Sequence, residues 1–147
     1  MSPPFRLERV RMLRERREDD AKLEFAGALR RHADCERALV ASASQIAAAR
    51  DARQPADGAS LAADLIAQQV YIERLESSHR TVEEELRKRQ SDLDARRVEL
   101  TRASQDREAL DRLKQKNLDA RLRELAQVEQ NALDEVAIAG LQRRRAA

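Results

Sequence analysis

The side chains with the greatest potential for chemistry are two histidines and the single cysteine, His32, His79 and Cys35. Imidazole and thiolate are preferred zinc ligands, and zinc takes four protein ligands in a structural site, or three and a water in a catalytic one. The repeat pattern given below places all three side chains on one helix–helix seam, with no acidic residue there to complete a ligand set. We therefore interpret them as ordinary seam residues and predict neither a metal nor a cofactor.

Clusters of like charge are the other candidates for chemistry. They are Asp19-Asp20, Glu83-Glu84-Glu85 and Asp134-Glu135 among the acids, and Arg87-Lys88-Arg89 and Arg143-Arg144-Arg145 among the bases. General acid–base catalysis needs a concave pocket, which two packed helices do not provide. Nucleic-acid binding usually concentrates positive charge on one face, whereas the net charge of +2 arises from mixed signs. The sequence predicts no enzyme and no nucleic-acid partner.

Helix-breaking residues divide the chain into two long segments. Of its 147 residues 38% are charged and 2% are aromatic, a composition typical of coiled coils. Proline occurs only at positions 3, 4 and 55, and glycine only at 27, 58 and 140; both disfavour helix interiors. We predict an all-α fold with one coiled-coil domain over residues 1–147: helix 1 over about 4–53, a turn at 54–60, helix 2 over about 61–139 and a frayed tail at 140–147. We expect no membrane span, because no apolar run approaches roughly 20 residues, and no secretory signal, because residues 1–6 open no apolar segment.

Two positions of a seven-residue repeat define a seam on each helix. On helix 1 they are Phe25, His32, Leu39, Ile46, Arg53 and Ala21, Ala28, Cys35, Ser42, Ala49. On helix 2 they are Leu65, Ile72, His79, Leu86, Leu93, Leu100 and Leu61, Gln68, Leu75, Val82, Arg89, Arg96, Ala103, Leu110. A turn near Asp57 predicts an antiparallel hairpin in which paired residue numbers sum to about 114, so that Ser42 faces Ile72 and Ala28 faces Leu86. Small residues of helix 1 then lie opposite large residues of helix 2.

The ends of the predicted hairpin are unequal. Upstream of Ala21 the apolar pattern slips, and we predict a local phase shift that matches Val10 to Ala103 and Leu13 to Leu100. Phe5 should lie opposite Leu110, so about 30 residues of helix 2, about 45 Å at 1.5 Å per residue, extend as an overhang. Its apolar residues are Leu113, Leu118, Leu122, Leu125, Val128, Leu133 and Val136. Because a contiguous apolar stripe usually marks an interaction surface, we expect a partner to cover it.

Three segments carry a resemblance to a known family: FRLERVRMLRE at 5–15, REALDRLK at 107–114 and EQNALDEVA at 129–137. Together with the chain length and the place of the turn, they resemble FliJ-type bacterial flagellar export proteins. The resemblance implies an antiparallel two-helix coiled coil similar to the stalk subunit of rotary ATPases, without enzymatic activity. It implies partners in the flagellar type III export apparatus, namely the central hole of the export ATPase hexamer (FliI), the export gate protein FlhA and export chaperones. It also implies a cytoplasmic protein, monomeric alone and held at the inner-membrane face of the flagellar basal body by protein partners.

The resemblance implies two partner-binding sites. For the ATPase we predict the paired termini, namely Leu7, Val10, Leu13, Leu118, Leu122, Leu125 and Leu133. For the gate it implies the turn end, namely Ala38, Ser42, Gln45 and Ala49 of helix 1 and Tyr71, Leu75, Ser78 and Val82 of helix 2. The predicted pairing assigns Ser42 and Ala49 to the seam, which leaves Ala38 and Gln45 on helix 1. From spacing alone, the stripe that begins at Tyr71 fits either a widened core face or a docking patch.

Three other functions fit the same pattern. A stalk protein of the related injectisome would share the hairpin, and neighbouring genes for flagella or for needle complexes would separate the two. A structural coiled coil that homodimerises through the overhang would form a tight dimer and bind no export ATPase. A nucleic-acid or chaperone-like adaptor would require strongly salt-dependent binding to DNA or another partner.

Overall fold

Two long helices account for nearly all of residues 6–52 and 61–146, which are the residues that the computed structural model describes. Helix α1 spans Glu8–Asp51 and helix α2 spans Leu61–Ala146. They pack against each other, and no strand occurs in the two described ranges, which confirms the all-α helical hairpin. The predicted turn at 54–60 and the predicted helix start at Pro4 lie outside the described residues.

The charges at the helix ends match the helix dipole. Glu8 lies in the first turn of α1 and Arg50 in its last, while α2 begins with Asp64 in its first turn and ends with three arginines. Acidic residues near the start and basic residues near the end stabilise a helix. The last turn of α2 corrects the sequence prediction, because the helix continues through Gly140 to Ala146 instead of ending near 139. One interior glycine costs only about 1 kcal/mol relative to alanine, which does not end a long helix.

The chain divides into two compact units: Arg17–Ala103, and the residues up to Arg16 together with those from Ser104 onwards. Within Arg17–Ala103, every described member of the predicted seam sets is buried or half-buried, which confirms the heptad assignment there. The most buried apolar residues are Ala28, Leu93, Ile72 and Ile46, at 1%, 4%, 7% and 9% exposure. The core of this unit is therefore a single line of side chains between the helices.

The pairing of the two helices in this unit differs from the prediction. Ser42 Oγ lies 2.6 Å from His79 Nδ1, although the sequence pairing placed Ser42 opposite Ile72, seven residues earlier. Gln68 Nε2 donates to the Ala49 carbonyl at 3.0 Å, three residues from its predicted partner Ile46. The pairing of Ser42 with His79 would bring Ala28 level with Leu93 instead of Leu86. Small residues still face large ones, because a shift of one heptad leaves the seam positions unchanged.

Charged residues replace apolar ones in the seam of the terminal unit. Arg14 Nη1 lies 2.7 Å from Asp106 Oδ2, and Arg11 Nη1 lies 3.5 Å from Asp111 Oδ1. Lys114 Nζ lies 3.0 Å from Glu8 Oε2. Val10 and Leu13, which the sequence analysis matched to the partner helix, are 41% and 49% exposed, so the predicted phase shift is wrong. The heptad keeps its phase, and ion pairs hold the two segments together.

Candidate interaction surfaces

The downstream part of α2 carries an apolar stripe with large exposed side chains. Leu122, Leu125 and Leu133 are 65–66% exposed, and Val136 is 72% exposed. Every residue from 122 to 145 is classed as exposed. Successive steps of four and three residues keep the side chains on one face of the helix. We call this face the overhang stripe, and define it as Leu118, Leu122, Leu125, Glu129, Leu133, Val136 and Gly140.

The α1 residues predicted to share in ATPase binding are distributed differently. Leu7 is half-buried, whereas Val10 and Leu13 are exposed. Met12, which the sequence analysis did not select, is also 49% exposed. Met12 and Leu13 line a shallow surface depression with Arg9 and Arg16. The start of α1 therefore presents apolar side chains flanked by positive charge.

Ion pairs fix the ionised state of Glu8 beside this segment. Its carboxylate accepts from Arg11 Nε at 2.9 Å and from Lys114 Nζ at 3.0 Å. These hydrogen bonds, from Arg11 first and then from Lys114, lower the pKa of Glu8 below its ordinary value. Because the pKa of Glu8 is lower in the folded chain, these bonds stabilise the folded state at pH values above the pKa of Glu8 in the unfolded chain. This stabilisation is lost as the pH falls through the pKa of Glu8 in the folded chain.

The predicted gate-binding residues of α2 separate into two groups. Tyr71 is 55% exposed and Ser78 is exposed. Leu75 and Val82 are half-buried, as expected of members of the α2 seam. Of the predicted stripe, only Tyr71 and Ser78 are thus free to form part of a docking patch, and Leu75 and Val82 belong to the helix pairing.

The helix 1 half of the predicted gate site shows the same division. Ala38 and Gln45 are exposed, while Ser42 and Ala49 lie in the seam as the sequence pairing indicated. Sequence reasoning missed two exposed apolar residues near Tyr71, Ile66 at 66% and Val70 at 43%. Their position outside both seam sets is the signal that could have identified them.

The histidines and the cysteine each have a different partner. Ser42 Oγ donates to the Leu39 carbonyl at 2.9 Å and lies 2.6 Å from His79 Nδ1. Cys35 Sγ donates to the Val82 carbonyl at 3.8 Å. His32 Nδ1 lies 3.7 Å from a Glu36 oxygen, and His79 Nε2 lies 3.5 Å from a Glu83 oxygen. Among the residues that the structure describes, no group of three or more His, Cys, Asp or Glu side chains could hold a metal ion.

A helical hairpin with a narrow buried seam, together with an exposed apolar face on its longer helix, places the chain in the class of two-helix coiled-coil proteins. The chain belongs to the family of flagellar FliJ proteins, because the model of that family matches residues 3–146. No curated protein and no solved structure matches it. Family membership implies involvement in flagellar export as a non-catalytic component. No helix among the described residues is long and apolar enough to cross a membrane.

Proposed function

We propose that this protein acts as a stalk-like coupling rod between the flagellar export ATPase hexamer and the export gate protein FlhA. In this role it also escorts export chaperones at the cytoplasmic face of the inner membrane, within the type III apparatus. The observation that carries the proposal is the overhang stripe. Membership of the flagellar FliJ family supports the central hole of the export ATPase ring as the partner surface that covers the stripe.

Binding energy at the stripe would come from apolar burial. Leu122, Leu125 and Leu133 each leave about two-thirds of their side-chain surface in water. Removing that surface from water contributes about 25 cal/mol per Å², less the cost of ordering both partners. Side chains that fill well-packed partner pockets near the centre of a contact typically dominate its binding energy. Loss of two of them should therefore remove most of the affinity.

Replacement of Leu122 and Leu125 by Asp is the direct test. We expect the double variant to lose at least tenfold in affinity for the export ATPase, because two charges would have to be desolvated in an apolar contact. Titration of labelled protein with the ATPase measures the loss, and circular dichroism should show the helix content of the hairpin nearly unchanged.

A matched control comes from the other side of the same helix. Ile138 is 55% exposed and lies off the overhang stripe, so Ile138→Asp adds the same charge at a position that the partner should not cover. A strain that carries the control should swim, and one that carries the double variant should not. Wild-type affinity in the double variant would refute the assignment of the stripe to the ATPase.

The second contact of the proposal is with the gate, through the exposed face around Tyr71. Exposed aromatic side chains are common anchors of protein interfaces. Ser78, seven residues further along, is exposed on the same side of α2 as Tyr71. This face replaces the predicted stripe, since Leu75 and Val82 are held in the seam.

Tyr71→Ala should weaken binding to the isolated cytoplasmic part of the gate by at least fivefold and leave ATPase affinity unchanged. The physical reason is that truncation removes the largest exposed ring of the turn end while the side chain supports little of the seam. Parallel titrations of the two partners measure the difference, with Thr81→Ala as an exposed control on the same helix. An equal loss of affinity for the gate and for the ATPase would contradict the proposal that the two partners bind separate surfaces.

A further inference from the structure

The overhang stripe has an internal symmetry. Its positions 118, 122, 125, 129, 133, 136 and 140 are separated by steps of four, three, four, four, three and four residues. Read in either direction from Glu129, the steps are the same. Leu125 corresponds to Leu133, and Leu122 to Val136. The repeat length is eleven residues, which keeps the stripe close to straight along a helix.

Such a pattern is self-complementary in an antiparallel pair. A two-fold axis through Glu129 would place each stripe residue opposite its counterpart, large apolar residues facing each other on both sides of the centre. Alanine flanks the stripe at 126, 132, 137 and 139, so two backbones can approach closely along it. Leu118 of one copy would lie opposite Gly140 of the other.

Gly140 provides an independent reason for a close neighbour. It lies inside α2, and a Cβ built on it would meet no atom within 4 Å. Nothing in the described part of this chain therefore requires glycine at that position, where alanine would favour the helix. A bulky Leu118 from another copy would need the space that a missing side chain leaves.

In place of the monomer that the family resemblance implies, we propose that a second copy of this chain covers the overhang stripe in the isolated protein, as an antiparallel pair centred on Glu129. The area fits a weak association: five large side chains per copy, each contributing roughly 100 Å², give roughly 1,000 Å² in total, at the low end of specific interfaces. The segment 124–142 contains four acids and no lysine or arginine, and Arg143–Arg145 follow directly. The pair would bring each arginine run level with residues 113–115 of the partner, where Lys114 lies between Arg112 and Lys116, so charge at the ends also keeps the association weak.

Glu129 limits the strength of the pair. Two carboxylates would meet on the symmetry axis, in the middle of an otherwise apolar contact, where like charges oppose association. The pairing is thus held weak by one residue, and the same leucines remain available to another partner. The inference does not depend on the proposed function, because it concerns the chain alone.

Sedimentation equilibrium of the purified chain over a micromolar concentration series tests the pairing. Glu129→Leu should tighten the dimer at least tenfold, Leu125→Asp should abolish it, and the off-stripe control Ile138→Asp should leave it unchanged. Glu129→Arg alone should stay weak, whereas an equimolar mixture with wild type should associate more tightly than either component. A wild type and a Glu129→Leu variant that are both monomeric throughout would overturn the proposal.

Disulfide trapping distinguishes the antiparallel pair from a parallel one. In a Cys35→Ala background, Glu129→Cys should cross-link to itself, because the axis brings the two positions together. Gly140→Cys alone should not, since its two copies would lie about 33 Å apart at 1.5 Å per residue. A mixture of Leu118→Cys and Gly140→Cys should cross-link as a heterodimer. Self-cross-linking of Gly140→Cys would overturn the antiparallel arrangement, whatever the result with the ATPase.

Discussion

Replacement of Leu93 by Ala should destabilise the hairpin by about 3 kcal/mol, the usual cost of a deleted core leucine with the cavity it leaves. Leu93 is only 4% exposed and is the largest of the well-buried side chains near the middle of α2. The core is a single line of side chains, so no second layer can move in to fill the space. We expect the melting temperature, followed by circular dichroism at 222 nm, to fall by roughly 10 °C.

Leu23→Ala is the matched control. Leu23 lies in the same compact unit but is 72% exposed, so the same chemical change removes little buried surface. Its melting temperature should stay within about 2 °C of wild type, as for most surface substitutions. Equal shifts in the two variants would mean that Leu93 is not in the core.

Ala28→Asp should be at least as damaging, at about 3 kcal/mol or more. Ala28 is 1% exposed, the least exposed of the buried residues, and a carboxylate there would lose its water without gaining a partner. The seam is also narrow at this point, so the larger side chain would push the helices apart. Urea unfolding should show a lower midpoint.

Ala41→Asp serves as its control, because Ala41 is exposed in the middle of the same helix. Both changes lower helix propensity by the same small amount, so the difference between them isolates the effect of burial. If the urea midpoints of the two variants coincided, the seam around Ala28 would have to be wider than the structure gives it.

The sequence predicts which residues form the seam but not which residues of the two helices lie opposite each other, and both results have one physical reason. A heptad pattern fixes which face of each helix is buried, and every predicted seam position that the structure describes within Arg17–Ala103 is buried or half-buried. A slide of seven residues leaves that pattern intact, so hydrophobic spacing alone cannot distinguish Ile72 from His79 as the neighbour of Ser42. The polar contact between Ser42 and His79 decides between them.

The terminal seam was mispredicted because apolar residues were preferred over charged ones. Val10 and Leu13 looked like seam residues, yet Arg11 and Arg14 occupy that side and pair with acids of α2. Long arginine side chains can lie along a seam and place their charge at its edge. The sequence identifies Arg11 and Arg14 as seam positions only when the seven-residue repeat of Ala21 and Phe25 is extended unchanged towards the start of α1.

The candidate surfaces were predictable where no seam competes. The overhang leucines are exposed as the surplus length of α2 indicated. At the turn end, the family resemblance assigned Leu75 and Val82 to the gate site, whereas the heptad pattern assigned them to the seam. Both residues are half-buried in the seam. The exposed fractions of the side chains decide between the two assignments, and they leave Tyr71 as the exposed residue of the predicted stripe, with Val70 next to it in the sequence.

The spacing of interhelical contacts along the chain also sets an order of assembly. Gln68 bonds to a residue 19 positions away, Arg31 to one 61 away and Arg11 to one 100 away. Closing a longer loop costs more conformational entropy, and the shortest loops end beside the buried Ile46 and Ile72. Pairing should therefore start between the end of α1 and the start of α2, and the ion pairs of the terminal unit, such as Arg11–Asp111, should close last and open first. A newly made chain would need most of its length before those final pairs could form.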